Sequence, residues 1–272
     1  MAVLSVDLAR RRWSDLGVVA LSRASSQLST STVSCEILPF DSPGLDAAAD
    51  RGPVDPEILA GRLNHLCAVR GICVLMLDGP QAWKSESSGL EHARVSERQL
   101  NTAAKTGLPG RVKPSTYRNF AEFCMDVYDG LCRRGWRRLE TRPQPPVAPD
   151  PAAAQQERVL VESYPHAAWR SLGLRPLPSK RRARVSDLAE AYAALRSVVP
   201  FTTNRPPNHD QLQAIVGGLP GLALEEHNPA GLRIVGHAPR REEGHWREGF
   251  IVLPLPPQSA TGVRWLPPQS SS

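Results

Sequence analysis

The sequence predicts an α/β fold: one mixed sheet that begins as an antiparallel meander, continues with parallel strands, and carries helices on its faces. Three observations lead there. The first 40 residues contain three strand-like runs, AVLSVDLA, LGVVALS and STSTVSCEILPF, with turn signals between them, which is the pattern of a meander. Two later runs, ICVLMLD and RVLVE, are apolar, and the first has the composition of a strand covered on both faces. Helical segments separate these strands, and that order favours parallel pairing.

Taken in order, the polar turn RRRWSD joins the first two strands. Gly17 opens the second, where a missing side chain permits close backbone approach or a bulge. Residues 41–54 form a loop. DPEILAGRLNHLCAV is a helix with Asp55 as N-cap and Pro56 in its first position, and Gly71 ends it. ICVLMLD follows as a strand. Residues 81–140 make a helical insertion. SERQLNTAAKTG supplies a short helix, and Ser115 caps a longer one whose Tyr117, Phe120, Cys124, Val127 and Leu131 recur at helical spacing. Residues 141–156 are a Pro-rich loop. After RVLVE comes a short helix, HAAWRSLG, ended by Gly173. Ser186 caps SDLAEAYAALRSVV, and Asn208 caps a helix running from His209 to Leu224. GLRIVGHAP and GFIVLPLP form a terminal pair of strands. Residues 1–255 thus form a single domain, and the Pro/Ser-rich residues 256–272 a disordered tail.

Composition narrows the function classes. Apolar residues are 41% of 272, enough for a packed core once the polar and Pro-rich stretches are set aside. The formal charge of +6 favours polyanionic partners such as nucleic acid. Five cysteines, an odd number without CxxC or zinc spacing, fit a reducing cytoplasm. The start, MAVLSVDLARRRW, is charged too early for a signal peptide, and no apolar run approaches the roughly 18 residues that span a bilayer. Walker, GxSxG and Rossmann motifs are absent.

Four acids stand where packing does not call for them. Asp7, Asp78 and Glu162 close apolar strands, and Asp210 opens the helix DQLQAIVGGL. Ligand crevices form at the carboxyl ends of parallel strands, and carboxylates gathered there repel one another unless a divalent cation joins them. The expectation is four carboxyl groups within about 10 Å, with room for one or two ions. Each acid also has a plainer explanation. Asp7 can begin a turn, Asp78 can form one ahead of Gly79-Pro80, and Asp210 can answer a helix macrodipole. Glu162, on an apolar strand, is the hardest to explain by structure alone.

The strand order with an acid on the first strand resembles the ribonuclease H-like fold. The phrases SVDLA, LDGP, VESYPHAAWRSLG, NHDQLQAIVGGL and GFIVLP resemble the DUF429 family, uncharacterised proteins predicted to be ribonuclease H-like nucleases. The likeness spans about residues 1–255, with ESYPHAAWR its most specific phrase. It implies hydrolysis of phosphodiester bonds in DNA or RNA with Mg²⁺ or Mn²⁺, and it makes Asp7, Asp78, Glu162 and Asp210 the catalytic and metal-binding residues. Asp7 is then the ligand shared by two ions, Asp78 and Asp210 complete their shells, and Glu162 binds metal or orients water. Resolvase-type nucleases of this fold carry two acids three residues apart on the last helix. Here Asp210 holds the first place and neutral Gln213 the second, which motivates the alternative of a catalytically inactive nucleic-acid- or protein-binding module. An actin-like ATPase would want a Gly-rich first turn, and RRRWSD is not one. Candidate substrate contacts are His166, Lys180, Arg94 and Arg98, the last three from two basic runs. Trp83 could stack on a base, or be a buried edge residue.

Overall fold

The computed structural model describes residues 2–23, 32–40, 52–142 and 157–256. Most of the expected loops at 41–54 and 141–156, and the tail at 256–272 except its first residue, lie outside those residues. The strands are β1 (Ala2–Asp7), β2 (Gly17–Arg23), β3 (Val33–Ile37), β4 (Val74–Asp78), β5 (Lys105–Thr106), β6 (Val112–Lys113), β7 (Arg137–Arg138), β8 (Val159–Ser163), β9 (Phe201–Thr203), β10 (Leu232–Val235), β11 (Arg240–Glu242), β12 (His245–Arg247) and β13 (Ile251–Pro254). The helices are α1 (Pro56–Arg70), α2 (Val95–Leu100), α3 (Arg118–Arg133), α4 (Pro165–Ser171), α5 (Val185–Val198) and α6 (His209–Glu225).

The main sheet has the order β10-β13-β8-β4-β1-β2-β3-β9, with β7 beside β8. β1, β2 and β3 pair antiparallel, while β1–β4, β4–β8, β8–β13 and β3–β9 pair parallel. This is the mixed sheet that the sequence predicts. Alternation along the strands divides the core in two. Val3, Val19, Leu21, Val74, Met76 and Val161 face a cluster with α4 and α6. Leu4, Val6, Val18, Ala20, Leu75, Leu77 and Leu160 face α1 and α3.

Local signals account for most boundaries. The Asp55 carboxylate accepts from the backbone N–H groups of Glu57 and Ile58, each at 2.9 Å, and Gly71 ends α1 in the left-handed region. Asn208 caps α6 by accepting from Gln211 N at 2.9 Å. Two caps differ from expectation. Ser115 opens a 3-10 turn, Ser115–Tyr117, and α3 begins only at Arg118. α5 begins at Val185, with Arg184 as the N-cap, so Ser186 lies inside the helix; the Arg184 N–H donates to Asp187 instead, at 2.8 Å. The hairpins β5–β6 and β11–β12 were not foreseen, because two- and three-residue strands rich in Arg and Lys carry no apolar alternation.

Helix α6 approaches the sheet at near-backbone distance. A methyl on Gly218 would sit 2.5 Å from Leu21 Cδ1 and 2.7 Å from Ser5 Cβ; one on Gly221 would sit 2.6 Å from Val3 Cγ1. At the helix start, a methyl on Gly17 would lie 2.3 Å from the backbone oxygen of Asp210. The expected close approach at Gly17 is therefore the docking of α6. Because the obstacle is backbone, Gly17→Ala should lower stability by about 1–3 kcal/mol in urea denaturation. Gly52→Ala, with nothing within 4 Å of the added carbon, should stay within about 0.5 kcal/mol of wild type.

Candidate active site

Parallel pairing sets Asp7 opposite Asp78 at the carboxyl ends of β1 and β4. Residues in register on neighbouring strands point to the same face, here the face that α6 covers. The two carboxyl groups share a hydrogen bond. Burial, then the charges of Asp78 and Asp210, raise the Asp7 carboxyl well above the usual carboxylate range. Burial lifts Asp78 to about 7, although the hydrogen bond from Asp7 opposes this. Both carboxyls are thus held above their ordinary range, because two crowded carboxylates resist ionising together.

Asp210 joins them from the first turn of α6, with Gly17 providing the space. Its charge acts on Asp7. Its Oδ2 accepts from the Lys180 ammonium, and its Oδ1 faces His209 Nδ1 at 3.2 Å. Lys180 also donates to Asp15 Oδ1 at 2.8 Å, and His209 Nε2 lies 2.9 Å from the Pro178 oxygen. Burial alone would raise the Asp210 carboxyl, but hydrogen bonds with His209 and Lys180 hold it below its ordinary value.

Glu162 adds its charge to the upward push on Asp78 but enters from the other face of the sheet. It pairs in register with Leu77, one residue short of Asp78, so its side chain turns toward the α1 and α3 face. There Arg94 grips it with two bonds of 2.6 Å, and Gln81 N donates at 3.1 Å. Arg94 also binds Glu97 at 3.1 Å and Thr106 at 3.0 Å, and the Arg94 and Glu162 side chains are 1% and 4% exposed. Two expectations are corrected here. Arg94 has no exposed face for a phosphate, and both Glu162 oxygens already serve a guanidinium. The pair anchors the insertion to the sheet.

The other candidates fall as follows. His166 and Arg98 are exposed. Lys180 is half-exposed but held by its two acids. Gln213 Oε1 accepts from the Trp169 indole N–H at 2.8 Å. Trp83 is buried against Ala121 and Met125, so it is an edge residue of the core rather than a stacking platform. The sequence reading missed Asp15, whose one signal was its place in the charged turn before Gly17. It also missed that Lys180, which precedes the exposed Arg181, Arg182 and Arg184, bonds to Asp15 in the turn that carries Arg10, Arg11 and Arg12.

The ribonuclease H-like resemblance implies a divalent ion. Asp7 and Asp78 fit one: they are hard oxygen donors, side by side in register, whose mutual repulsion a cation would relieve. Glu162 does not fit. Among the described residues no three His, Cys, Asp or Glu side chains are grouped as a ready metal site, in keeping with Asp210 being turned to Lys180. Among those residues, too, no helix is long and apolar enough to cross a membrane.

No family model and no curated protein matches the chain. Among solved structures, RuvC of Thermus thermophilus aligns over 84% of this chain and 98% of its own, with a TM-score of 0.37 and 9% identity. Strand order, not this likeness, identifies the mixed sheet.

Two outcomes are expected. A raised carboxyl pKa stabilises the fold fully below the unfolded value, 3.8 for Asp78, and that contribution is lost as pH rises through about 7. The metal-free protein should therefore lose thermal stability between about pH 4 and pH 8, and Asp78→Asn should flatten the slope in melting curves at fixed ionic strength. Arg94→Met leaves Glu162 and Glu97 buried without their cation and should cost about 3–5 kcal/mol in denaturant titration, partly recovered by adding Glu162→Leu.

Proposed function

We propose that the protein is a divalent-metal-dependent phosphodiesterase acting on DNA or RNA, a ribonuclease H-like nuclease of the DUF429 kind, using Mg²⁺ or Mn²⁺. The observation that carries this is the Asp7–Asp78 pair: two acids in register at the carboxyl ends of adjacent parallel strands, with Asp210 close enough to act on Asp7. Half-buried acids set side by side at that place cost stability, and they serve no packing purpose.

Asp7 and Asp78 would hold the ion. When bound, it would polarise a phosphoryl oxygen and lower the pKa of a water molecule. Lys180 keeps Asp210 neutralised and adds a positive charge beside the acids. Arg10 to Arg12 and Arg181, Arg182 and Arg184, on the two segments that Lys180 and Asp15 join, would supply cations suited to a phosphate backbone. The five cysteines are all free thiols, which suits a reducing compartment such as the cytoplasm.

A second reading, a non-catalytic module that binds nucleic acid or protein, draws on specific pairings. Lys180 occupies Asp210, Arg94 occupies Glu162, and Gln213 serves Trp169. Cleavage assays on single-stranded, duplex and branched substrates separate the two. The nuclease reading expects cutting that needs Mn²⁺ or Mg²⁺ and falls to background in Asp7→Asn, whereas Glu162→Gln keeps its Mn²⁺ affinity in calorimetry. Wild-type protein that neither cuts nor binds Mn²⁺ leaves only the binding module.

A further inference from the structure

Two places where a second metal ion would find ligands are already taken. Gln213, one turn after Asp210 on α6, commits its side-chain oxygen to the Trp169 indole at 2.8 Å. Beside Asp210, the Lys180 ammonium contacts Asp210 Oδ2 and, at 2.8 Å, Asp15 Oδ1. Two carboxylates from separate elements, the β1–β2 turn and α6, converge on this one positive charge. Its field also reaches Asp7 and opposes the upward push of burial there. A divalent ion at the same oxygens would compete with the ammonium and be repelled by it.

We propose that the Lys180 ammonium stands in for a second divalent ion, so that the protein loads one ion, on Asp7 and Asp78, with a tethered positive charge beside it. This rests on the metal-dependent reading above. An ammonium has three N–H donors. Two are engaged by Asp15 and Asp210, and the third, which meets no acceptor among the described residues, would donate to a phosphate oxygen of a bound nucleic acid. A tethered charge also needs no second metal, so ion loading should follow a one-site curve.

Mn²⁺ titration of the full chain tests this, by calorimetry for stoichiometry and by electron paramagnetic resonance for spin-coupled ion pairs. One ion is expected in the wild type and in Lys180→Arg, and none in Asp78→Asn. Lys180→Met, which leaves Asp15 and Asp210 facing each other without a cation, should bind two ions with a coupled-pair spectrum. Lys180→Met/Asp210→Asn should return to one. Circular dichroism establishes that the variants are folded, and Lys180→Arg carries the test should the apolar variant not fold, since two ions there would overturn the assignment. Two ions in the wild type, or one ion of unchanged affinity in a folded Lys180→Met, would overturn the Lys180 assignment and leave the metal site standing. No ion in the wild type would overturn the metal-dependent reading, and the Lys180 assignment with it.

Discussion

Helix α6 lies against β1, β2 and β4 closer than ordinary side chains permit, and the arrangement of the site depends on that contact. Gly218 and Gly221 let the helix meet Leu21, Ser5 and Val3 directly, and Gly17 lets its first turn settle over the start of β2. Glycine inside a helix is unfavourable by roughly 0.5–1 kcal/mol relative to alanine. Here that cost is offset by close packing of apolar groups in the larger core cluster. The same docking delivers Asp210 to the sheet edge where Asp7 and Asp78 end.

The four acids show three physical solutions to burying a carboxylate. Asp7 and Asp78 are pushed toward the neutral form, Asp210 faces an ammonium and an imidazole, and Glu162 is clamped by a guanidinium. Each solution suits a different role. Crowded carboxyls gain from taking up a cation, and the tethered ammonium stays open to solvent because Lys180 is half-exposed. A bidentate pair sealed from water is fixed, because removing either partner strands the other charge. The Arg94–Glu162 pair is therefore suited to holding the insertion, and Asp7 and Asp78 to chemistry.

Charge is organised on a larger scale as well. Asp7 and Asp78 are half-buried at the ends of strands, while Arg11 and Arg12 of the β1–β2 turn and Arg181, Arg182 and Arg184 are exposed. Lys180 joins the two basic segments to the acids through Asp15 and Asp210.

Much of this was written locally in the chain. The meander, the apolar strands β4 and β8, the Asp55 and Asn208 caps and the glycine stop of α1 are local signals, and short-range sterics and hydrogen bonding settle them. Asp7 and Asp78 were legible for the same reason, since each ends an apolar run whose direction the connections fix. What the sequence could not specify was register and partnership. Whether Glu162 stands level with Asp78 or with Leu77 is a one-residue matter between strands more than 80 positions apart in sequence, and side-chain alternation turns that single step into opposite faces of the sheet. Likewise Lys180 and Asp15, separated by 165 residues, meet only because α6 and the first hairpin pack together. Local chemistry chose the elements and placed acids at their ends; only tertiary packing chose which of those acids would meet each other and which would meet a cation.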